Sequence, residues 1–351
     1  MNKAAPHFNS EIRSKKRQEI VVSTDDLVIM RFFPSGNTLP LIMEPRSGSV
    51  DLSEWLKIHR ERVEHELWKY GGILFRNFGI DTVQKLELFA NAFGSDLLEY
   101  KERSSPRTAV SGKIYTSTDY PPEEPIFLHN ENSYQRHWPL KIFFCCIHPA
   151  SEGGETPVAD IRKVFARIDS NTVDKFRKKK VMYTRNFGNK LGLSWEEVFQ
   201  TNDRTAVEKH CSGEGIKVEW LPENRLRTTA IREAFRNHPK TGACLWFNHA
   251  TFFHVTSREP KVRDALLQLF TENDLPTNSC YGDGSPIEPE VLEKLREAYN
   301  QEAIRFSWER GDVLLLDNML TAHGRSPFTG ERKILVGMAE IVESPVPVDL
   351  R

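Results

Sequence analysis

From residue 126 onward the chain is broken into short β-type segments, and this limits the possible folds more than any other feature. "IFLHNENSY", "LKIFFCCIH", "TPVADI", "KVMYTRNF", "IKVEWL", "RLRTTAI", "CLWFNH", "IRFSW", "DVLLLDN" and "RKILVGMAEIV" are brief and rich in aromatic or β-branched residues. Turn signals such as "EGGE", "PKTG", "ERGD" and "FTGE" separate them. Two helical segments interrupt the series. One is "SREPKVRDALLQLFTEN"; the other is "SPIEPEVLEKLREAYNQ", whose Ser285, Pro286 and Glu288 read as a capping box with proline in the first turn. Because strand and helix do not alternate regularly, a doubly wound α/β sheet is disfavoured. The expectation is a mainly β protein, a barrel or jelly roll of cupin-like type with flanking helices.

The region before residue 126 is more helical. "SEWLKIHRERVEHELWKY" (53–70) has apolar residues at helical spacing after Asp51 and Ser53, "GGILFRNF" (71–78) reads as a strand, and "VQKLELFANAFG" reads as a helix ended by Gly94. Residues 1–22 are polar and carry the basic "RSKKR", the mark of a flexible terminus. Residues 23–351 are expected to form one domain with a helical insertion around 190–300.

Charge and composition remove several classes of function. Lys plus Arg is 48 against 49 for Asp plus Glu, so no basic excess points to nucleic acid or an anionic membrane. The apolar run "IFFCCI" falls far short of the roughly 20 residues that span a bilayer. The first 30 residues lack the apolar core of a secretory signal. Five cysteines without metal-type spacing read as free thiols in a reducing cytoplasm, and Cys145 and Cys146 should alternate across a strand.

Two stretches share a His-x-Glu spacing. His59 and Glu61 lie in a charged helical segment, where positions i and i+2 diverge by about 200°, so both are expected on the surface. His129 and Glu131 follow the apolar "PIFL"; in a strand, i and i+2 share a face and can meet at one ion. A third ligand would come from a distant segment. In "LLLDNMLTAHGRSPFTGERKILV" a buried strand leads to a polar loop with His323, then Gly324, which suits a tight backbone, and nine residues later Arg332.

Two neutral imidazoles and one carboxylate form the facial set of non-haem Fe(II), with three positions left for a bidentate keto acid and dioxygen. An arginine on the next strand can fork onto the distal carboxylate of that keto acid. On residues alone, His323 could equally bond a carbonyl, and Arg332 could pair with Glu331 or Asp312. His137, His148, His249 and His254 read as structural or wall residues, with His249 and His254 on opposite faces of a strand.

Together these segments resemble the taurine dioxygenase-like (TauD/TfdA) family of Fe(II)- and 2-oxoglutarate-dependent oxygenases. The likeness runs through "GGILFRNF", "IFLHNENSY", "EGGETPVADIRKVF", "TGACLWFNH", "YGDGSPIEPEVLEKLREAY" and "WERGDVLLLDNMLTAHGRSPFTGERKILV". It implies a double-stranded β-helix. It also implies Fe(II) on His129, Glu131 and His323, and 2-oxoglutarate on Arg332 with the Thr156 hydroxyl. The chemistry implied consumes O2, converts 2-oxoglutarate to succinate and CO2, and oxidises an unactivated C–H bond.

Three positions depart from common family patterns. The carboxylate is Glu131 rather than Asp, Lys333 stands where a second Arg often follows, and Val336 stands where some members hold an Arg for an anionic substrate. The retained carboxylate points to oxygen insertion rather than halogenation. The wording is closest to natural-product amino-acid hydroxylases of the syringomycin-pathway type. That implies hydroxylation of an amino-acid-like substrate, free or held on a carrier (thiolation) protein, with epoxidation, desaturation or cyclisation as variants. Asn248, Phe252 and Arg325 are expected to border the substrate. A zinc- or manganese-dependent cupin-like hydrolase or isomerase on the same ligands would be distinguished by failure to release succinate under Fe(II) and O2, and a non-catalytic binding protein by a colourless anaerobic mixture with Fe(II) and 2-oxoglutarate.

Overall fold

The computed structural model describes residues 27–93, 97–99, 108–117, 120–188 and 192–344. The expectations for residues 1–22 and for Gly94 lie outside these. An eight-stranded sheet dominates. Its order is Val28–Arg31, Leu41–Pro45, Gly72–Phe75, Val313–Asp317, His137–His148, Lys333–Glu343, Ile114–Thr116, Ala109–Ser111. The centre of this sheet is a run of antiparallel pairs, with Leu315 opposite Phe143 and Gly337 opposite Phe143 on the other side.

The central strands are buried on both faces and therefore read as continuous apolar runs. Phe143, Cys145 and Leu315 join a cluster with Leu56, Val63 and Leu67 of the Leu52–Tyr70 helix. Ile142, Phe144, Cys146 and Leu314 face the opposite way, with Val158, Ile334 and Trp308. The two adjacent cysteines thus lie on opposite faces, and all five cysteines are free.

A three-stranded antiparallel sheet, Ile126–His129, Thr321–Arg325 and Val158–Asp160, carries the chain segments of the site. The stretch from 190 to 300 holds strands as well as helices, among them Lys217–Leu221, Arg225–Arg232 and Thr277–Tyr281 alongside Pro260–Leu269 and Pro289–Glu302. No helix of the described residues is long and apolar enough to cross a membrane.

Several local expectations need correction. The Leu52–Tyr70 helix is capped by Asp51, which accepts from the Ser53 and Glu54 N–H groups, and it ends on Gly71 at φ 82°. His59 is not on its surface. It lies on the apolar stripe between Leu56 and Val63, is buried, and stacks on Trp55 at 4.5 Å. Ser285 does not open the last long helix. Its hydroxyl is taken by Asp283 and Lys179, and the helix begins at Pro289 after Glu288. "IRFSW" forms only a single bridge, Ile304 to Val158. His249 and His254 flank the short Ala250–Phe253 helix rather than opposite faces of a strand.

Candidate metal centre and cosubstrate cleft

The ladder between the Ile126–His129 and Thr321–Arg325 strands puts His129 directly opposite His323, with ring centroids 4.6 Å apart. Register slips just after His323, leaving a bulge at Gly324. Gly324 is required there by close approach, because a Cβ would sit 2.5 Å from the Ile126 carbonyl oxygen. His129 Nδ1 lies 2.8 Å from the Phe127 carbonyl. A nitrogen facing a carbonyl must carry the proton, so Nε2 keeps its lone pair for a metal.

Glu131 joins them by a different route from the one expected. The strand stops at His129, and residues 130–133 form a turn in which Asn132 adopts φ 56°. Asn318 holds that turn. Its side chain accepts from the Glu131 N–H at 2.7 Å and donates to the carbonyls of Glu131 (2.9 Å) and Pro139 (2.8 Å). Asn130 donates to the Asn318 carbonyl at 2.6 Å. As a result, ligand atoms of His129, Glu131 and His323 all lie within 4.8 Å of one another. Two imidazoles and a carboxylate at that spacing can hold a divalent transition metal.

The loop before His323 is fixed by Asp317. One carboxylate oxygen accepts from the Met319 and Leu320 N–H groups, and the other faces His238 Nε2 at 2.8 Å in a fully buried pair. His238 Nδ1 accepts from the Lys240 and Thr241 N–H groups, so Nε2 is the protonated nitrogen.

A cleft of about 380 Å³ opens beside the triad, lined by His129, His323, Thr156, Ser117, Arg325 and Arg332 among others. Arg332 donates to the Gly154 carbonyl at 2.9 Å and to the Ser117 hydroxyl at 3.3 Å. Burial, with a contribution from nearby Arg325, lowers its pKa to about 10, so it stays cationic at neutral pH. Gly154 has φ 72°, and a Cβ there would press on the Arg332 side chain at 3.0 Å. Thr156, 2% exposed, accepts from the Trp308 indole N–H at 3.2 Å.

The expected substrate contacts divide. Phe252 stacks on the His129 ring at 4.4 Å. Arg325 lines the cleft, but donates to the carbonyls of Tyr120, Pro121 and Glu124 and so anchors that segment. Asn248 donates to the Ala234 carbonyl and accepts from the Ala250 N–H, so its amide ties neighbouring backbone together just before the short helix. His249, buried beside His129 at 5.9 Å, is held neutral by desolvation and bonds Ser133. Asn318, Ser117 and Trp308 were not singled out from sequence. Only the "DN" that ends a buried strand signalled the first.

A mixed β architecture with a His-x-Glu…His triad and a half-buried arginine beside it defines a 2-oxo-acid-dependent metal oxygenase class. The Taurine catabolism dioxygenase TauD, TfdA family matches residues 34–339, and the chain belongs to it. It is accordingly an Fe(II)- and 2-oxoglutarate-dependent dioxygenase that uses O2. Among similar proteins, the dapdiamide synthesis protein DdaC of Enterobacter agglomerans is 40% identical over 280 residues, 80% of this chain and 85% of that protein. A clavaminate synthase-like protein of Arabidopsis thaliana is 27% identical over 319 residues, 86% of this chain and 93% of that one. The crystal structure of PvcB from Pseudomonas aeruginosa shares the fold, with a TM-score of 0.54 at 16% identity over 92% of this chain and 94% of its own.

Proposed function

We propose that this dioxygenase hydroxylates an unactivated C–H bond of an amino-acid-derived substrate, free or carried on a thiolation protein, in secondary metabolism. In this reading His129, Glu131 and His323 hold the iron, and Arg332 with Thr156 holds 2-oxoglutarate. The single observation that carries it is the 4.8 Å convergence of those three ligand groups, two of which, His129 and His323, line the same cleft as Arg332. The likeness to a dapdiamide synthesis protein supports a biosynthetic role.

We read the core as a double-stranded β-helix within one domain spanning 23–351. Val158 of the small sheet shares an apolar cluster with Ile142, Leu314 and Ile334 of the large one, and the Phe144 ring lies 5.0 Å from His323. Bound iron would supply O2 activation coupled to decarboxylation of 2-oxoglutarate. The chain's part is to orient and exclude. Nδ1 of His129 keeps its proton on Phe127, Asn318 fixes the carboxylate, and Phe252 shields one ligand ring from water. Glu131 fills the position that a halide would need, which favours oxygen insertion. Arg325 is assigned to the substrate side, with Phe252.

The test is succinate release under Fe(II) and O2 across free amino acids and their carrier-bound thioesters, with mass spectrometry of the product. A gain of one oxygen on a saturated carbon supports hydroxylation. Addition across a double bond, or loss of two hydrogens, replaces it with epoxidation or desaturation. No substrate-stimulated succinate from either set removes the amino-acid assignment.

A further inference from the structure

The cleft beside the triad contains two hydroxyls, and each receives a hydrogen bond from a group that can only donate. The Trp308 indole N–H donates to Thr156 at 3.2 Å, and the Arg332 guanidinium donates to Ser117 at 3.3 Å. A hydroxyl has one proton and accepts on its oxygen. Because the group facing it can only donate, the hydroxyl's own proton must point elsewhere. Among the described residues neither hydroxyl donates to a protein group, although Thr156 is almost wholly buried. Both line the space shared with Arg332. Two oriented O–H donors and a half-buried guanidinium around one cavity match a ligand group with several acceptor lone pairs and a negative charge.

We propose that Ser117, oriented by Arg332, adds a third donor to the Arg332 and Thr156 pair already assigned to the cosubstrate, and that Trp308 orients the Thr156 hydroxyl, so that the distal carboxylate sits in a three-donor cradle. Ser117 is a binding residue in this scheme; Trp308 is a positioning residue that acts through Thr156. The inference rests on the 2-oxoglutarate reading of the cleft. Local backbone supports it. Ser117 is tied down by its own N–H, which donates to the Ile334 carbonyl at 2.8 Å, so its hydroxyl has a fixed origin. Trp308 lies in the apolar cluster with Phe306, ring centroids 5.2 Å apart, so its indole N–H is equally fixed. The arrangement predicts discrimination: a 2-oxo acid with the same chelating end but no second carboxylate gains nothing from either hydroxyl.

The experiment titrates the full-length Fe(II)-loaded protein anaerobically with 2-oxoglutarate and, separately, with 2-oxovalerate, following the visible charge-transfer band. Wild type is compared with Ser117→Ala, Thr156→Val, Trp308→Phe and the Thr156→Val/Trp308→Phe double variant, with thermal melts alongside. Ser117→Ala and Thr156→Val should each weaken 2-oxoglutarate about tenfold, as expected for one hydrogen bond to a charged group, and leave 2-oxovalerate within about twofold. Trp308→Phe should weaken 2-oxoglutarate about threefold, and add nothing once Thr156 is Val. Thr156→Ser should restore most of the loss. Equal weakening of both keto acids, an unchanged 2-oxoglutarate affinity in Ser117→Ala, or an undiminished Trp308 effect in the Thr156→Val background overturns the cradle. Absence of any band in wild type overturns the cosubstrate reading, and the cradle with it.

Discussion

Replacing Asn318 by Ala should damage metal binding by much more than it damages the fold. The side chain is wholly buried and makes three hydrogen bonds, two of them to the peptide groups on either side of Glu131. At a net value of about 1 kcal/mol each, these bonds contribute about 3 kcal/mol to stability. For a chain of 351 residues that corresponds to a fall in Tm of about 4 °C. The same loss releases the 130–133 turn, whose only role toward the metal is to aim the Glu131 carboxylate. Loss of a group that orients a ligand weakens metal affinity about 10–100-fold. The assay is Co(II) titration by visible absorption below the melting range. Leu56→Ala serves as the control: Leu56 is fully buried in the helix–sheet cluster, and its truncation costs a comparable 2–5 kcal/mol, or about the same fall in Tm, without touching the turn. Equal Co(II) affinity in Asn318→Ala and Leu56→Ala would refute the reasoning.

Glu131→Ala should lower Co(II) affinity at least about 100-fold and abolish succinate release, and turnover at wild-type rates would remove Glu131 from the ligand set. Gly324→Ala should cost about 2 kcal/mol, read as a lower urea midpoint, because its Cβ would lie 2.5 Å from the Ile126 carbonyl oxygen; an unchanged midpoint would show that the bulge relaxes freely. His254 has its pKa lowered from 6.5 to about 4, first by burial and then by Arg296. Below pH 6.5 the unfolded chain therefore takes up a proton that the folded protein refuses until about pH 4, and metal-free stability should fall by up to about 3 kcal/mol across that window. His254→Asn should flatten this slope; an identical pH profile in the variant would exclude His254 as its source.

Much of the framework is visible in sequence because its signals are local. The Leu52–Tyr70 helix is set by its own cap and stripe, and the Val313–Asp317 and Lys333–Glu343 strands by apolar runs that only a doubly covered sheet accommodates. What is not visible depends on long-range neighbours. His59 looks like a surface residue among charges, yet it completes the apolar stripe. Ser285 has the spacing of a helix cap, but Asp283 and Lys179 compete successfully for its hydroxyl. Ser117 carries no motif, and Trp308 opens the "WERGD" segment without a signal of its role; they matter because residues 215 and 152 positions away, Arg332 and Thr156, fold against them.

The His-x-Glu pair shows why a correct spacing can rest on an incomplete reason. Alternation along a strand would place both side chains on one face, but the strand ends at His129. Had it continued, Glu131 would lie about 7 Å further along the ladder from His129, whereas the convergence requires the three ligand groups within 4.8 Å. A turn shortens that path, and Asn132 at φ 56° is the kind of residue that tolerates it. A turn of this sort has peptide groups that no ladder satisfies, and in a buried site they need a partner. Asn318, arriving at the end of the Val313–Asp317 strand, supplies both a donor and an acceptor to the Glu131 peptide groups. The motif is therefore a three-part device, His-x-Glu plus a remote asparagine. The helical His59 and Glu61, which match the spacing, fail for want of the turn and its clamp as much as for want of a strand.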